Sequence, residues 1–181
     1  MTLAMGSATM PLNEISDGLS ELFGEHHRRI LMAAYRITGS MADAEDVTQA
    51  VFLRLARASG PAMTNAGSYL YRAAINASLD LLRQRKAAAT EPLDEAASVA
   101  SAGSSPEAAA SGRQLGEALR TAIADLSPRA AEMFTLRYLE DFSNREIATL
   151  MHTSQAVVAV TLHNARSRLK KQLSQLERGK K

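Results

Sequence analysis

A low-complexity segment in the middle of the chain sets the main limit on its fold. Residues 87–112 hold ten alanines, five serines, two glycines, two prolines and four acidic residues, with Leu93 and Val99 as the larger apolar side chains. Such a segment cannot bury enough apolar surface to offset the chain entropy lost on folding. We therefore predict a flexible linker over 87–112 between two small domains, at 12–86 and 113–178.

Apolar residues on both sides of this linker recur every three or four positions, which is the period of an α-helix. On the N-terminal side, a first helix ends before Gly39, a second runs from there to Gly60, and a third covers about 68–86. No segment shows the alternation of a half-exposed strand. The predicted fold class is all-α.

The C-terminal side of the chain carries several helix-start signals. A helix over 114–126 is followed by Ser127 and a proline, which suit the N-cap and the first helical position. Ser143 and Glu146 have the spacing of a capping box. A last helix with a basic end begins near Ser154. A short helix, a tight turn and a long helix in this order predict a helix-turn-helix unit.

Two basic segments flank the linker, although the net charge of the whole chain is only +2. Residues 66–86 hold four basic side chains and one acidic one, and residues 162–181 hold seven and one. A single long anion such as nucleic acid would account for both segments. A solvated helix end would account for either one alone.

The composition excludes several classes of protein. The chain has no cysteine, so disulfides, thiolate catalysis and cysteine-ligated metal centres are ruled out. No apolar run approaches the roughly 20 residues that a membrane span needs, and the N-terminus lacks the pattern of a secretory signal. We therefore expect a soluble, cytoplasmic protein without membrane insertion.

Nothing in the sequence predicts an enzyme, a cofactor or a metal site. No glycine-rich phosphate loop, nucleophile motif or paired carboxylates are present. His26 and His27 are adjacent, so on a helix they point about 100° apart and cannot chelate one metal ion as an i, i+4 pair would.

Three stretches in this order resemble the extracytoplasmic-function (ECF) class of bacterial RNA polymerase sigma factors: SMADAEDVTQAVFLRLAR, GSYLYRAAINASLDLLRQRK and LSPRAAEMFTLRYLEDFSNREIATLMHTS. The resemblance covers about residues 19–174. It implies a non-catalytic protein with two helical domains. The first domain would bind core RNA polymerase and melt the minus-ten promoter element, and the second would read the minus-thirty-five element.

The resemblance assigns the helix over 44–52 to the polymerase clamp. Ala50 stands where the family commonly has an acidic residue, which implies a somewhat altered interface. Polar and charged side chains on and beside this helix are the predicted polymerase contacts: Asp43, Glu45, Asp46, Gln49 and Arg54.

The stretch SYLYRAAIN resembles the segment that holds the opened non-template strand. Asn76 matches an amide that contacts the flipped base, and the loop over 60–67 would complete its pocket. Tyr69 replaces a frequent tryptophan, and we expect it to pack in the core. The other predicted minus-ten contacts are Tyr71, Arg72, Arg83, Arg85 and Lys86.

The recognition helix lacks the lysines and arginines that the family usually has near its start, and His152 stands where the turn usually has glycine. Glutamine and asparagine can pair with adenine, and alanine or threonine methyl groups can meet thymine methyls, so an A·T-rich step is readable without arginine. The predicted base-reading residues are Gln155, Ala156, Ala159, Thr161 and Asn164. The predicted phosphate contacts are Arg145, Arg166, Arg168, Lys170 and Lys171.

The predicted partners are core RNA polymerase, promoter DNA and an anti-sigma factor. Two other functions stay open at this point. One is a sigma-factor mimic that binds an anti-sigma protein without promoter activity, which the uncharged recognition helix and Ala50 favour. The other is a dimeric helix-turn-helix regulator, which leaves the acidic helix over 44–52 unexplained.

Overall fold

The structure is a computed structural model that describes residues 12–57, 66–90 and 106–178. The described residues form seven α-helices and the turns between them, which confirms the all-α prediction. The helices are α1 (Leu12–Thr38), α2 (Met41–Arg57), α3 (Ala66–Thr90), α4 (Pro106–Ala124), α5 (Pro128–Tyr138), α6 (Asn144–Leu150) and α7 (Gln155–Arg178). Helices α1–α3 are called the N-terminal bundle below, and α4–α7 the C-terminal bundle.

Most of the turns form where the sequence predicts them. Gly39 ends α1 with φ 72°, and its N–H donates to the Tyr35 carbonyl at 2.8 Å. The capping box at α6 is present, with Ser143 and Glu146 each accepting a hydrogen bond from the other's backbone N–H. Ser154 caps α7 by accepting from the Val157 N–H at 3.2 Å.

Two turn residues differ from the simplest expectation. Ser127 is at the N-cap of α5, but its side chain accepts no capping hydrogen bond, so the start of this helix depends on the proline at its first turn. His152 has φ 49°, the left-handed conformation that glycine adopts at least cost. That backbone angle is a physical reason for glycine at this turn position.

The predicted linker is helical at both of its described ends. Helix α3 continues to Thr90, and α4 begins at Pro106. Alanine is the strongest helix former, and it is frequent in both of these stretches. Residues 91–105 of the predicted linker and residues 60–65 of the predicted strand-binding loop lie outside the described residues, so the flexible linker and the loop pocket stay predictions.

The N-terminal bundle has its own apolar core between α1, α2 and α3. Phe52 packs there, and its ring centroid lies 4.8 Å from that of Phe23. Tyr69 is partly buried against the same core, as the sequence predicts. The buried residues of this core are Ile30, Ala34, Ala44, Val47, Val51, Phe52, Leu70 and Ala74.

A second and larger core joins the two bundles. Ile75, Leu79 and Leu82 of α3 are buried with side chains from α4 to α7, including Met133 and Leu136. From the helical period alone, these three α3 residues are expected to widen the core that Leu70 and Ala74 form in the N-terminal bundle. That expectation is wrong, because in the structure they face the C-terminal bundle.

The close approach of the bundles at Gly39 generates a stability prediction. Gly39→Ala is expected to lower the free energy of unfolding by about 1–2 kcal/mol, because alanine is strained at this φ. Its Cβ would also lie 1.9 Å from a guanidinium nitrogen of Arg120 in α4, which would have to move.

Gly24→Ala is the matched control for this change. Gly24 lies inside α1, and an added Cβ would meet nothing within 4 Å, so alanine should raise stability by about 0.5–1 kcal/mol. Chemical denaturation of both variants measures the two shifts. Shifts of the same sign would contradict the conformational role of Gly39.

Candidate polymerase and nucleic-acid interfaces

The outward face of α2 carries most of the predicted polymerase contacts. Glu45, Asp46, Gln49 and Arg54 are all exposed. Leu53 lies among them with 54% of its surface exposed, although the sequence analysis did not select it. A large apolar side chain at the centre of a polar face is typical of a protein–protein interface. Leu53 was detectable from the sequence, since it falls on the helix face opposite Val47 and Val51.

Asp43 differs from the other predicted contacts on α2 because its side chain is mostly buried and paired within the N-terminal bundle. Its carboxylate accepts a hydrogen bond from the Arg85 guanidinium of α3, and its side chain is only 14% exposed. The expectation that Asp43 is exposed is therefore wrong. Arg85 is engaged in the same pair, so neither residue is free for polymerase or DNA in this structure.

The predicted minus-ten residues of α3 lie in three different environments. Asn76 is half-buried, and Arg83 pairs with Asp80 one turn earlier at 2.7 Å. Arg72 and Lys86 instead contact the C-terminal bundle. The Arg72 Nε donates to Glu132 at 2.7 Å, and its Nη1 donates to the Leu150 carbonyl at 3.2 Å.

Lys86 continues this pattern toward the C-terminal end of α3. Its ammonium group donates to the carboxylate of Asp125, which lies in the turn after α4. The other oxygen of Asp125 accepts from the Gln172 side chain at 3.1 Å, which links this corner to α7. In this structure, Lys86 therefore pairs with the C-terminal bundle through Asp125.

Tyr71 is buried between the bundles, and only 3% of its surface is exposed. Its hydroxyl donates to Glu140, which also accepts from Arg36 at 2.7 and 2.9 Å. Burial raises the pKa of Tyr71, and the bond to the Glu140 carboxylate raises it further. The Arg29 guanidinium lies 4.6 Å above the Tyr71 ring, so the hydroxyl and one face of the ring are occupied.

The helix-turn-helix unit holds its predicted DNA contacts on an accessible surface. Ile147, Val158 and Leu162 are buried where α6 and α7 meet, and Ala165 and Leu169 continue the buried side of α7. Thr161 is half-buried. The remaining predicted contacts are exposed: Arg145, Gln155, Ala156, Ala159, Asn164, Arg166, Arg168, Lys170 and Lys171.

Two exposed valines on α7 are not among the predicted DNA contacts. Val157 is 45% exposed and Val160 is 61% exposed. Successive residues turn about 100° around a helix, so Val160 lies about 200° from the buried Val158. That geometry is available from the sequence alone, because Val158, Leu162 and Ala165 recur at helical spacing and mark the buried side of α7. The valines extend the uncharged character of the helix face, while Arg166, Arg168 and Lys170 lie farther along it.

The described part of the chain shows neither a metal cluster nor a membrane segment. No group of three histidine or acidic side chains in it is placed to hold a metal ion. None of the helices within those residues is both long and apolar enough to cross a membrane.

Comparison with known proteins gives matches to both bundles. The family described as Sigma-70 region 2 matches residues 22–88, and Sigma-70, region 4 matches residues 116–169. The ECF RNA polymerase sigma factor SigW of Bacillus subtilis is 26% identical over 177 residues, with 88% of this chain and 91% of SigW covered.

Two further relatives reach 30% identity. The ECF RNA polymerase sigma factor SigE of Mycolicibacterium smegmatis matches 85% of this chain and 61% of its own length. The RNA polymerase sigma factor CarQ of Myxococcus xanthus matches 89% of this chain and 92% of its own length. Among solved structures, the chain is similar to the sigma factor RpoE of Bartonella quintana, which was solved in complex with the anti-sigma factor NepR. The two chains are 19% identical with a TM-score of 0.49, and the match covers 88% of this chain and 98% of the RpoE chain.

The two family matches fall on the two bundles and occur in the order that the sequence motifs predict. The exposed polar face of α2 and the exposed face of α7 lie within the matched residues. The chain belongs to the extracytoplasmic-function class of RNA polymerase sigma factors.

Proposed function

We propose that three surfaces of this sigma factor act together in transcription initiation, each with a different partner. The outward face of α2 binds the clamp of core RNA polymerase, Asn76 on α3 takes part in opening the minus-ten element, and α7 reads the minus-thirty-five element. The observation that carries this proposal is the accessible face of α2, with three polar residues around Leu53: Glu45, Asp46 and Gln49. An anti-sigma protein is a further proposed partner, as expected for this family.

The direct test is run-off transcription with purified core polymerase and promoter DNA. The wild-type protein should start specific transcripts. Asp46→Arg should abolish them, because it reverses a charge at the centre of the proposed clamp contact. Asn76→Ala should change the preferred minus-ten sequence while core binding persists. If the wild type binds core polymerase but starts no transcript, the sigma-factor mimic becomes the better interpretation.

Leu53 supplies a second prediction about the clamp contact. Apolar side chains at the centre of an interface often contribute more than the polar rim. Leu53→Asp should weaken binding to core polymerase at least about tenfold, a loss of about 1.4 kcal/mol. Leu115→Asp is the matched control, since Leu115 is 61% exposed on α4, away from the proposed surface. Fluorescence titration with labelled protein measures both; equal affinities would exclude Leu53 from the contact.

Val160 supplies a prediction about how an uncharged helix reads DNA. Its methyl groups are exposed on α7 between residues proposed to face a major groove, and a thymine methyl is the apolar group that a groove presents. Basic side chains farther along α7, Arg166 and Arg168, match the charge of the flanking phosphates. Val160 is thus proposed to contact a thymine of the minus-thirty-five element.

Replacement of each minus-thirty-five thymine by deoxyuracil removes one methyl group and nothing else. One such replacement should lower holoenzyme affinity about threefold to fourfold, because burying one methyl-sized group contributes about 0.8 kcal/mol. Val160→Ala should cause a similar loss on thymine DNA and little further loss on the deoxyuracil template. A double-mutant cycle from gel-shift titrations measures this coupling. Additive losses would show that Val160 does not touch the methyl group.

A further inference from the structure

We propose that an acidic row on the C-terminal bundle occupies the phosphate positions of the opened promoter strand on the N-terminal bundle. The acidic row consists of Asp125, Glu132 and Glu140. In the free factor, the C-terminal bundle and single-stranded minus-ten DNA then compete for one surface. This inference rests on the proposed role of α3 in strand binding, and it adds a reason why the free factor would not hold the strand.

Each member of the acidic row is bound by a donor from the N-terminal bundle. Asp125 accepts from Lys86, and Glu132 accepts from Arg72. Glu140 accepts from both Tyr71 and Arg36. Three of the residues predicted to bind the strand, Tyr71, Arg72 and Lys86, therefore have carboxylate partners on the other bundle.

A carboxylate is a chemical stand-in for phosphate at such donors. Both groups present oxygens with negative charge, and an arginine fork binds either of them by charge-assisted hydrogen bonds. The side chains of Glu132 and Glu140 are 8% and 5% exposed, so water does not replace them at these donors in the described state. To take over the hydrogen bonds that Arg72 and Arg36 donate to Glu132 and Glu140, strand phosphates must displace these two carboxylates.

These ion pairs make the contact between the bundles specific but add little net free energy to it. The Coulomb energy of a buried pair is largely offset by the cost of desolvating both charges. Core polymerase is proposed to bind at α2, away from the acidic row, while strand binding at α3 requires the bundles to separate. A contact of small net free energy is one that partner binding can open.

Withdrawal of Glu140 would expose a surface suited to single-stranded nucleic acid. Arg29 and Arg36 of α1 lie beside Tyr71: the Arg29 guanidinium is 4.6 Å from the ring centroid, and Arg36 shares Glu140 with the Tyr71 hydroxyl. Phe142, whose ring stacks on Tyr71 with centroids 5.7 Å apart, belongs to the C-terminal bundle and would leave with Glu140, which frees that face of the Tyr71 ring. A cationic groove with an aromatic ring is the usual arrangement for binding a single strand. Arg36 thereby joins the strand-binding residues, although it lies on α1, outside the stretch that the sequence motif covers.

The test uses the full-length protein without polymerase and a fluorescent single-stranded oligonucleotide with the non-template minus-ten sequence. Glu132→Gln/Glu140→Gln removes two charges of the acidic row and leaves the N-terminal donors in place. Its affinity for the oligonucleotide should rise about tenfold over that of the wild type. Adding Arg36→Ala to this variant should reverse a fraction of the gain.

A matched control separates this effect from a general change in charge. Glu21→Gln/Glu117→Gln removes the same charge at exposed positions on α1 and α4, outside the acidic row. Equal affinities of this control and the acidic-row variant would overturn the inference. Glu140→Gln alone is the second variant, with circular dichroism to verify folding, and it should give a smaller rise than the double change.

A distance measurement gives an independent readout. The chain has no cysteine, so Ala87→Cys on α3 and Ser167→Cys on α7 introduce two unique dye sites at exposed positions. Energy transfer should fall in the acidic-row variant and when the oligonucleotide is added to the wild type. Unchanged transfer in both cases would overturn the inference. Run-off transcription by wild-type holoenzyme is independent of this result, so failure of the inference and failure of the proposed function are distinguishable.

Discussion

The arrangement of this protein depends on a helix with two apolar faces. In α3, Leu70 and Ala74 pack in the N-terminal core, while Ile75 and Leu79 pack against the C-terminal bundle. Residues five apart lie about 140° from one another around a helix, so one helix can serve both cores. Neither face can be left in water without losing the free energy of apolar burial. The two bundles associate because the second apolar face of α3 must be buried. The polar contacts between the bundles then determine their relative orientation.

Glu140 is the main polar contact of that association. Its carboxylate, almost fully buried, would carry a large desolvation penalty if it were unpaired. Arg36 and Tyr71 together satisfy it, and both belong to the other bundle. In the same contact, Arg72 of the N-terminal bundle likewise pairs with the buried carboxylate of Glu132. Because the partners must meet with correct geometry, these pairs select one way of docking among the many that an apolar surface alone would allow.

Docking of the two bundles leaves some of the proposed binding surfaces accessible and covers others. The faces of α2 and α7 that are proposed to meet polymerase and the minus-thirty-five element are accessible while the bundles are docked. Docking covers part of the α3 surface proposed for the opened strand, at Tyr71, Arg72 and Lys86. In the proposed mechanism, polymerase capture and duplex reading precede strand binding, because the strand would need the bundles to separate. This proposed order places the contact with strand phosphates, which carries no sequence information, after the reading of the minus-thirty-five element, which selects the promoter.

The sequence by itself determined the order of the helices, most of their caps and the family. Periodicity, Gly39, the capping box of Ser143 and Glu146, and the turn at Ser154 are local signals, and local hydrogen bonds fix them wherever the rest of the chain lies. The exposed positions of α2 and α7 followed from the same periodicity, and Leu53 and Val160 could have been found by it. Only the tertiary structure decided that Ile75 faces the other bundle, that Asp43 holds Arg85, and that Glu140 covers Tyr71. Each of these depends on residues distant in the chain, and no local pattern encodes which carboxylate an arginine will meet.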